Sequence, residues 1–221
     1  MIARERFLEA AHGRPVDRPS VVYWPGPPDG RSDVVVLPPD PEYVKHHDRH
    51  DNRAILVEIP NPFGKAWSRN IDLNDMLTND PQEGERLLTQ FAESDRTAIG
   101  KVLEAGAEGI LYRLHGANAH RCTPMQYGGH YLEYDRELLR AAAGAEANVL
   151  FVVGDDSLYL DFVSDLPAAL FGWDDRTSGV SAAEGRRIRG GGRVICFDES
   201  SDVQLHVNAP SVAQMLEKDH L

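Results

Sequence analysis

Cysteines, long apolar runs and a leader-like start are all scarce or absent in this sequence. Only Cys122 and Cys196 occur, which is too few for a disulfide framework. The first residues do not combine basic side chains with the apolar stretch of a secretory signal. The apolar runs, such as residues 148–153, are far shorter than the ~20 residues that cross a bilayer. We therefore expect a soluble, cytoplasmic protein without a membrane partner.

Positively charged residues are also fewer than negatively charged ones. Lysine and arginine together number 23 against 35 aspartate and glutamate residues, so the formal net charge is −12. A surface with this balance repels a phosphate backbone, and we expect no nucleic-acid partner. A small molecule is the expected substrate.

Apolar, β-rich segments alternate with helical patterns along the chain. This alternation is typical of a parallel α/β sheet, and we predict a single domain over residues 1–221. The length is slightly below the roughly 250 residues of a complete (β/α)8 barrel. The main predicted strands, which we expect in one parallel sheet, are 54–59, 109–114, 148–153, 168–173 and 193–197.

Three stretches of the chain resemble the uroporphyrinogen decarboxylase-like superfamily, which also contains corrinoid-linked methyltransferases. Residues 4–19 resemble its opening helix and its arginine-proline entry into the first strand. Residues 104–127 resemble its "EAGAD" helix end, fourth strand and following helix, and residues 165–187 resemble a later strand and an arginine-bearing helix. The resemblance implies an α/β fold, a (β/α) barrel of the uroporphyrinogen decarboxylase type, in a shortened or incomplete form.

The functional motifs of that superfamily are reduced in this chain. The arginine-rich segment of the decarboxylases corresponds to residues 25–31, where only Arg31 can replace it. The catalytic aspartate of the second βα unit has no clear match, and residues 151–154 stand where the methyltransferases have a zinc-binding His-x-Cys pair. The second βα unit is short and the eighth strand has no visible counterpart. We therefore expect an uncovered first strand at 21–23 and a dimer, either a homodimer or a heterodimer with a related barrel protein.

Reactive groups of (β/α) barrels lie at the carboxyl ends of the strands, where the loops converge. Crowded carboxylates there raise one another's pKa and can serve as general acids or bases. Asn61, Asp155 and Asp156 also follow strands, but Asp155 and Asp156 have the residue type of helix N-caps. Trp173 either walls a planar ligand or packs in the core. The predicted catalytic residues are Asp174, Asp175, Arg176, Asp198, Glu199 and His115.

A second group of side chains has the chemistry of metal ligands. His115, His120 and Cys122 follow the predicted fourth strand, and imidazole and thiolate groups bind zinc or another divalent metal. A loop histidine that hydrogen-bonds the backbone is the ordinary alternative.

Three functional hypotheses follow. The first is a decarboxylase-like lyase or methyl-transfer enzyme that acts on a small carboxylated or methylated substrate by acid-base chemistry. The second is a barrel that binds a ligand or partner without catalysis. The third is a metal-dependent enzyme built on His115, His120 and Cys122.

Overall fold

The computed structural model describes residues 1–24 and 32–195 and the backbone of one further strand at 205–208. The strands are β1 (Ser20–Tyr23), β2 (Val34–Leu37), β3 (Ala54–Pro60), β4 (Gly109–Leu114), β5 (Val149–Val152), β6 (Leu170–Gly172), β7 (Val194–Ile195) and β8 (Leu205–Asn208). The helices are α1 (Ala3–Ala11), α2 (Pro41–His46), α3 (Pro62–Ser68), α4 (Leu73–Asn79), α5 (Pro81–Glu104), α6 (Pro124–His130), α7 (Leu132–Ala141), α8 (Leu160–Val163) and α9 (Ala182–Ile188). A 3-10 turn spans Arg49–Asp51.

The strands form one parallel sheet in the order β7-β6-β5-β4-β3-β2-β1-β8. The two ends of this order, β7 and β8, approach each other, so the sheet curves towards closure with the helices outside it. This is a shortened (β/α) barrel, as the family resemblance of the sequence implies. The prediction that the five main strands share one parallel sheet is confirmed.

The first strand is not uncovered, and that expectation from the sequence is wrong. β1 pairs with β2 on one side, where Val22 lies opposite Val34, and with β8 on the other, where Ser20 lies opposite Leu205. The eighth strand, which has no visible counterpart in the sequence pattern, is therefore present. Because both edges of β1 are paired, a dimer interface over residues 21–23 loses its physical basis.

The second βα unit is present but small. Its helix α2 has six residues and is capped by Asp40, whose side chain accepts a hydrogen bond from the Glu42 amide at 2.9 Å. The short α2 partly explains why this chain has fewer residues than a typical barrel, in which the helix after each strand is longer.

The opening motif has a structural role at the start of the barrel. Asp33 is fully buried just before β2, and its carboxylate accepts hydrogen bonds from Arg6 at 2.5 Å and from Arg18 at 2.8 and 2.9 Å. It also accepts from the Val21 amide at 3.0 Å. The arginines of the motif therefore fasten α1 and the entry to β1 onto the sheet.

The long helix α5 follows the periodicity of its apolar side chains. Asp80 caps it by accepting from the Glu83 amide, Pro81 stands at its first position, and the chain leaves it at Gly106 with a φ of 102°. Its buried face includes Leu88, Phe91 and Ile99. Within the described residues, no helix is both long and apolar enough to cross a membrane.

Candidate functional site

A cavity of about 290 Å³ lies at the carboxyl ends of β3, β4 and β5. This is the end of a (β/α) barrel at which catalytic residues are found. The loop after β4 contributes the largest share of its wall, and the segments that follow β3 and β5 complete it. The lining residues are Phe63, Trp67, His115, Gly116, Asn118, His120, Arg121, Val153, Gly154 and Asp155.

His115 is, with Asn118, one of the two most enclosed polar residues of the cavity wall. Its side chain is only 6 % exposed, and its ring packs so closely on α3 that a Cβ at Gly64 would lie 2.5 Å from His115 Cδ2. Within the described part of the chain, neither ring nitrogen has a hydrogen-bond partner. Burial lowers the pKa of His115 well below its ordinary value, and the nearby Arg113 and Arg121 lower it further. The imidazole is therefore neutral at physiological pH.

Asn61, at the end of β3, holds the backbone of His115 in place. Its Oδ1 accepts from the His115 amide at 3.1 Å, and its Nδ2 donates to the His115 carbonyl at 3.0 Å. The same Oδ1 caps α3 by accepting from the Gly64 amide at 2.9 Å. A single buried side chain thus fixes both the histidine and the helix against which its ring packs.

Asn61 also belongs to a buried network behind the cavity. Asp135 on α7 accepts hydrogen bonds from Tyr112 Oη at 2.6 Å, from Tyr127 Oη and from Asn61 Nδ2 at 3.2 Å. The carboxyl group is completely buried, and burial raises its pKa to about 6 although the hydrogen bonds oppose the rise. Sequence reasoning missed Asp135. Its position in the sequence could have revealed it. Asp135 precedes Leu138 and Leu139 by three and four residues, which places a carboxylate on the buried face of α7.

Arg121 places a positive charge on the cavity wall. Its guanidinium lies over the indole ring of Trp67, 3.6 Å from the ring centroid. Such stacking holds the guanidinium plane in one orientation and leaves its N–H groups free to bind. Among the described residues, no carboxylate lies within ion-pair distance of Arg121, although the protein as a whole is acidic. Sequence reasoning missed this residue as well.

A second polar cluster occupies the barrel interior. Glu58 on β3 accepts from Arg113 Nη1 at 2.6 Å and from Trp24 Nε1 at 2.8 Å. The Arg113 guanidinium lies 5.6 Å from the Trp24 ring centroid. Glu58 and Arg113 are charged residues within otherwise apolar strands, which is the pattern that could have revealed them from the sequence.

The predicted carboxylates of the sixth strand do not line the cavity. Asp174 is fully buried after β6 and accepts from Arg176 at 2.9 to 3.1 Å through the side chain and the amide of that residue. Its carbonyl accepts from the Ser178 amide at 3.0 Å, so it organises the turn before α9. Asp175 is partly buried and Arg176 is exposed. Asp198 and Glu199, like Cys196 and Arg31, lie outside the described residues.

Replacement of Asp174 by asparagine is expected to lower the free energy of unfolding by about 2 kcal/mol, because a buried charge-assisted hydrogen-bond set is weakened. Urea denaturation followed by circular dichroism measures this change. Asp161→Asn, a substitution of an exposed aspartate on α8, is the matched control and should change stability by less than about 0.5 kcal/mol. An unchanged midpoint for Asp174→Asn would restore this residue as a candidate for catalysis.

The predicted metal ligands His115, His120 and Cys122 do not form a cluster of three among the described residues. Cys122 is buried against α4, where its Sγ and the Asn74 side-chain amide are in contact at 3.5 and 3.7 Å, and burial raises its pKa to about 11. A thiol of this kind is a poor ligand, because metals bind the thiolate. His120 instead meets Asp155 and Asp156, with Nε2 of His120 2.5 Å from Asp156 Oδ1. Neither aspartate caps α8, whose N-cap residue is Tyr159, so the capping interpretation of these two residues is wrong.

Sequence comparison with models of known protein families finds no match, and comparison with curated proteins finds none either. Solved structures do resemble the chain. A methyltransferase from Methanosarcina mazei superposes with a TM-score of 0.75 at 12 % identity, over 94 % of this chain and 92 % of that one. A B12-independent methionine synthase from a Shewanella species, in complex with selenomethionine, gives a TM-score of 0.52 at 11 % identity. The match covers 71 % of this chain and 48 % of the synthase.

At these identities the likeness concerns the fold. The agreement over nearly the whole length of both chains in the first comparison means that the reduced second unit does not disturb the barrel architecture. The chain is therefore a shortened (β/α) barrel whose fold is similar to that of the Methanosarcina mazei methyltransferase, and this fits the uroporphyrinogen decarboxylase-like resemblance of its sequence without showing the family.

Proposed function

We propose that this protein is a barrel enzyme of the methyl-transfer or lyase type that acts on a small carboxylated substrate. The observation that carries the proposal is the pair of basic side chains on one cavity wall, His115 and Arg121, neither of which is ion-paired to a described carboxylate. A cavity of about 290 Å³ has the size of a small metabolite.

Arg121 is the proposed anchor for the substrate carboxylate. A guanidinium offers paired N–H donors whose geometry matches the two oxygens of a carboxylate. The stack on Trp67 orients those donors before the substrate arrives, so little side-chain freedom is lost on binding.

His115 is the proposed general base. A neutral imidazole accepts a proton, and burial keeps His115 neutral. In methyl transfer, the acceptor loses its proton to the base as the methyl group leaves its donor and bonds to the acceptor. In an eliminating lyase, the base takes a proton from the substrate as the leaving group departs with the electrons of its bond. Asn61 positions the ring by holding the backbone of His115.

A panel of small mono- and dicarboxylic acids tests this proposal. Binding is measured by isothermal titration calorimetry, and turnover of each acid that binds, alone and with methyl donors, is followed by mass spectrometry. We expect Arg121→Ala to weaken binding at least about 10-fold, because a charge-assisted bidentate contact is lost. Arg140→Ala, which removes an exposed arginine on α7, is the matched control and should bind normally.

Substitution of His115 by asparagine is expected to reduce kcat at least about 100-fold and to leave carboxylate binding nearly unchanged, because the general base is lost while the anchor remains. The wild-type rate should persist as the pH falls through 6.5, since the pKa of His115 is depressed. His130→Asn, on the exposed end of α6, is the control for the loss of a histidine.

Failure of every acid to bind would contradict the proposal. Binding without turnover of any acid, in wild type and variants alike, would support instead a barrel that binds a ligand without catalysis.

A further inference from the structure

Three potential metal ligands meet at the rim of the cavity. One ligand atom each from His120, Asp155 and Asp156 lies within 4.8 Å of the other two, and all three side chains are exposed. His120 belongs to the loop after β4, and the two aspartates follow β5. No other group of three such side chains with this spacing occurs among the described residues.

Backbone hydrogen bonds connect the two loops that carry these side chains. The Ala119 amide donates to the Ser157 carbonyl at 3.1 Å, and the Tyr159 amide donates to the Ala117 carbonyl at 2.9 Å. Asn118 lies between them, in a bridge with Leu158, and its Oδ1 accepts from the His120 amide at 3.1 Å. These hydrogen bonds hold the two loops, and so the three side chains, near one another. They do so independently of the His120–Asp156 ion pair, which contributes little stability because both side chains are exposed.

The cavity supplies an independent reason to expect a ligand beside this cluster. His120 and Asp155 line the same cavity as His115, whose imidazole is 6 % exposed and has no hydrogen-bond partner within the described chain. The His115 ring forms part of the cavity wall, so a molecule bound in the cavity can supply the hydrogen-bond partner that the described chain does not. Such a molecule would lie in the cavity that His120 and Asp155 also line.

We infer that His120, Asp155 and Asp156 bind one divalent transition-metal ion at the rim of the cavity. One neutral imidazole and two carboxylates supply a charge of −2, which balances the ion. Imidazole favours zinc and related metals over magnesium, and carboxylates accept zinc and manganese. Three protein ligands leave a coordination position for water or substrate, as in catalytic zinc sites. Two of the three side chains, His120 and Asp155, also line the cavity.

This site differs from the one that the sequence suggests. His120 is shared by the two sets, but Asp155 and Asp156 replace His115 and Cys122. It is also independent of the proposed function, because a metal at the rim can bind whether or not His115 acts as a base.

Metal binding to the purified chain tests the inference directly. The protein is stripped with a chelator and titrated with Zn²⁺ and separately with Mn²⁺, by calorimetry and, for Mn²⁺, by electron paramagnetic resonance. We expect one equivalent of either ion to bind, and Mg²⁺ to bind more weakly. The melting temperature of the wild type should rise with added ion, since a ligand that binds the folded state stabilises it.

Three single variants locate the site. His120→Gln, Asp155→Asn and Asp156→Asn should each weaken the affinity at least about 10-fold, because loss of a ligand costs no less than loss of its supporting hydrogen bond. All three residues are exposed, so the metal-free variants should have the same melting temperature as the metal-free wild type. His46→Gln is the matched control, since His46 is also exposed and lies 3.8 Å from Glu42.

Absence of binding by the wild type would overturn the inference. So would binding that the three variants retain at wild-type affinity, because the ion would then lie elsewhere among the nine histidines of the chain. Neither result would test carboxylate binding by Arg121. Failure of the metal-site proposal can therefore be distinguished from failure of the proposed function.

Discussion

Replacement of Asp135 by alanine is expected to lower the free energy of unfolding by about 3–5 kcal/mol, the largest effect that we expect of a single polar substitution. The carboxyl group is completely buried and accepts from two tyrosine hydroxyls and from the Asn61 amide. Alanine leaves these buried donors without an acceptor and also creates a small cavity. Denaturation by guanidinium chloride at neutral pH measures the loss.

Asp135→Asn is the matched control for this substitution. Asparagine keeps the volume and one carbonyl acceptor, and a tyrosine hydroxyl can accept as well as donate, so the donors retain partners. We expect a loss of only about 1 kcal/mol. Equal losses for the alanine and asparagine variants would mean that the charge, and not the hydrogen-bond network, stabilises this region.

Replacement of Trp173 by alanine is expected to cost about 3–5 kcal/mol, which is typical for a large aromatic side chain in a core. Trp173 is completely buried, its ring centroid lies 5.6 Å from that of Phe171, and its Nε1 donates to the Val180 carbonyl at 2.9 Å. A Cβ at Gly185 would lie 1.8 Å from the Trp173 ring, so α9 packs directly on the indole. The melting temperature and the denaturant midpoint should both fall.

Trp173→Phe separates packing from the hydrogen bond of the indole. It keeps most of the apolar contact and loses the bond to Val180, and we expect a loss of about 1–2 kcal/mol. Carboxylate binding in the cavity should be unchanged in this variant, because Trp173 does not line the cavity. A stable Trp173→Ala variant with altered ligand binding would instead support Trp173 as the wall of a ligand site.

The alternation of strands and helices could be predicted from this sequence because its evidence is local, whereas the barrel followed from the family resemblance. Buried strands such as 54–60 and 109–114 are continuous apolar runs, and α5 combines an Asp80 cap, a proline at its first turn and helical spacing of apolar residues. The eighth strand could not be predicted in the same way. β8 is Leu205–Asn208, in which polar residues alternate with apolar ones, and only its pairing with β1 identifies it.

The candidate site was predicted only in part. His115 follows a buried strand, so the barrel rule places it at the mouth, and it does line the cavity. The same rule selects Asp174, yet that side chain turns into the core and pairs with Arg176. The rule identifies the end of the strand and not the direction of the side chain, which depends on the turn that follows.

The sequence alone determined that the chain is acidic, that strands and helices alternate, and that a histidine follows the fourth strand. These properties depend on composition and on spacing within single elements. The tertiary structure decided that Arg121 stacks on Trp67, that Asp135 supports Asn61 and through it His115, and that His120 meets Asp155 and Asp156. Each of these contacts joins residues of different elements or loops. The distance between such residues in space cannot be derived from their separation along the chain, because it depends on how the barrel brings the strand ends together.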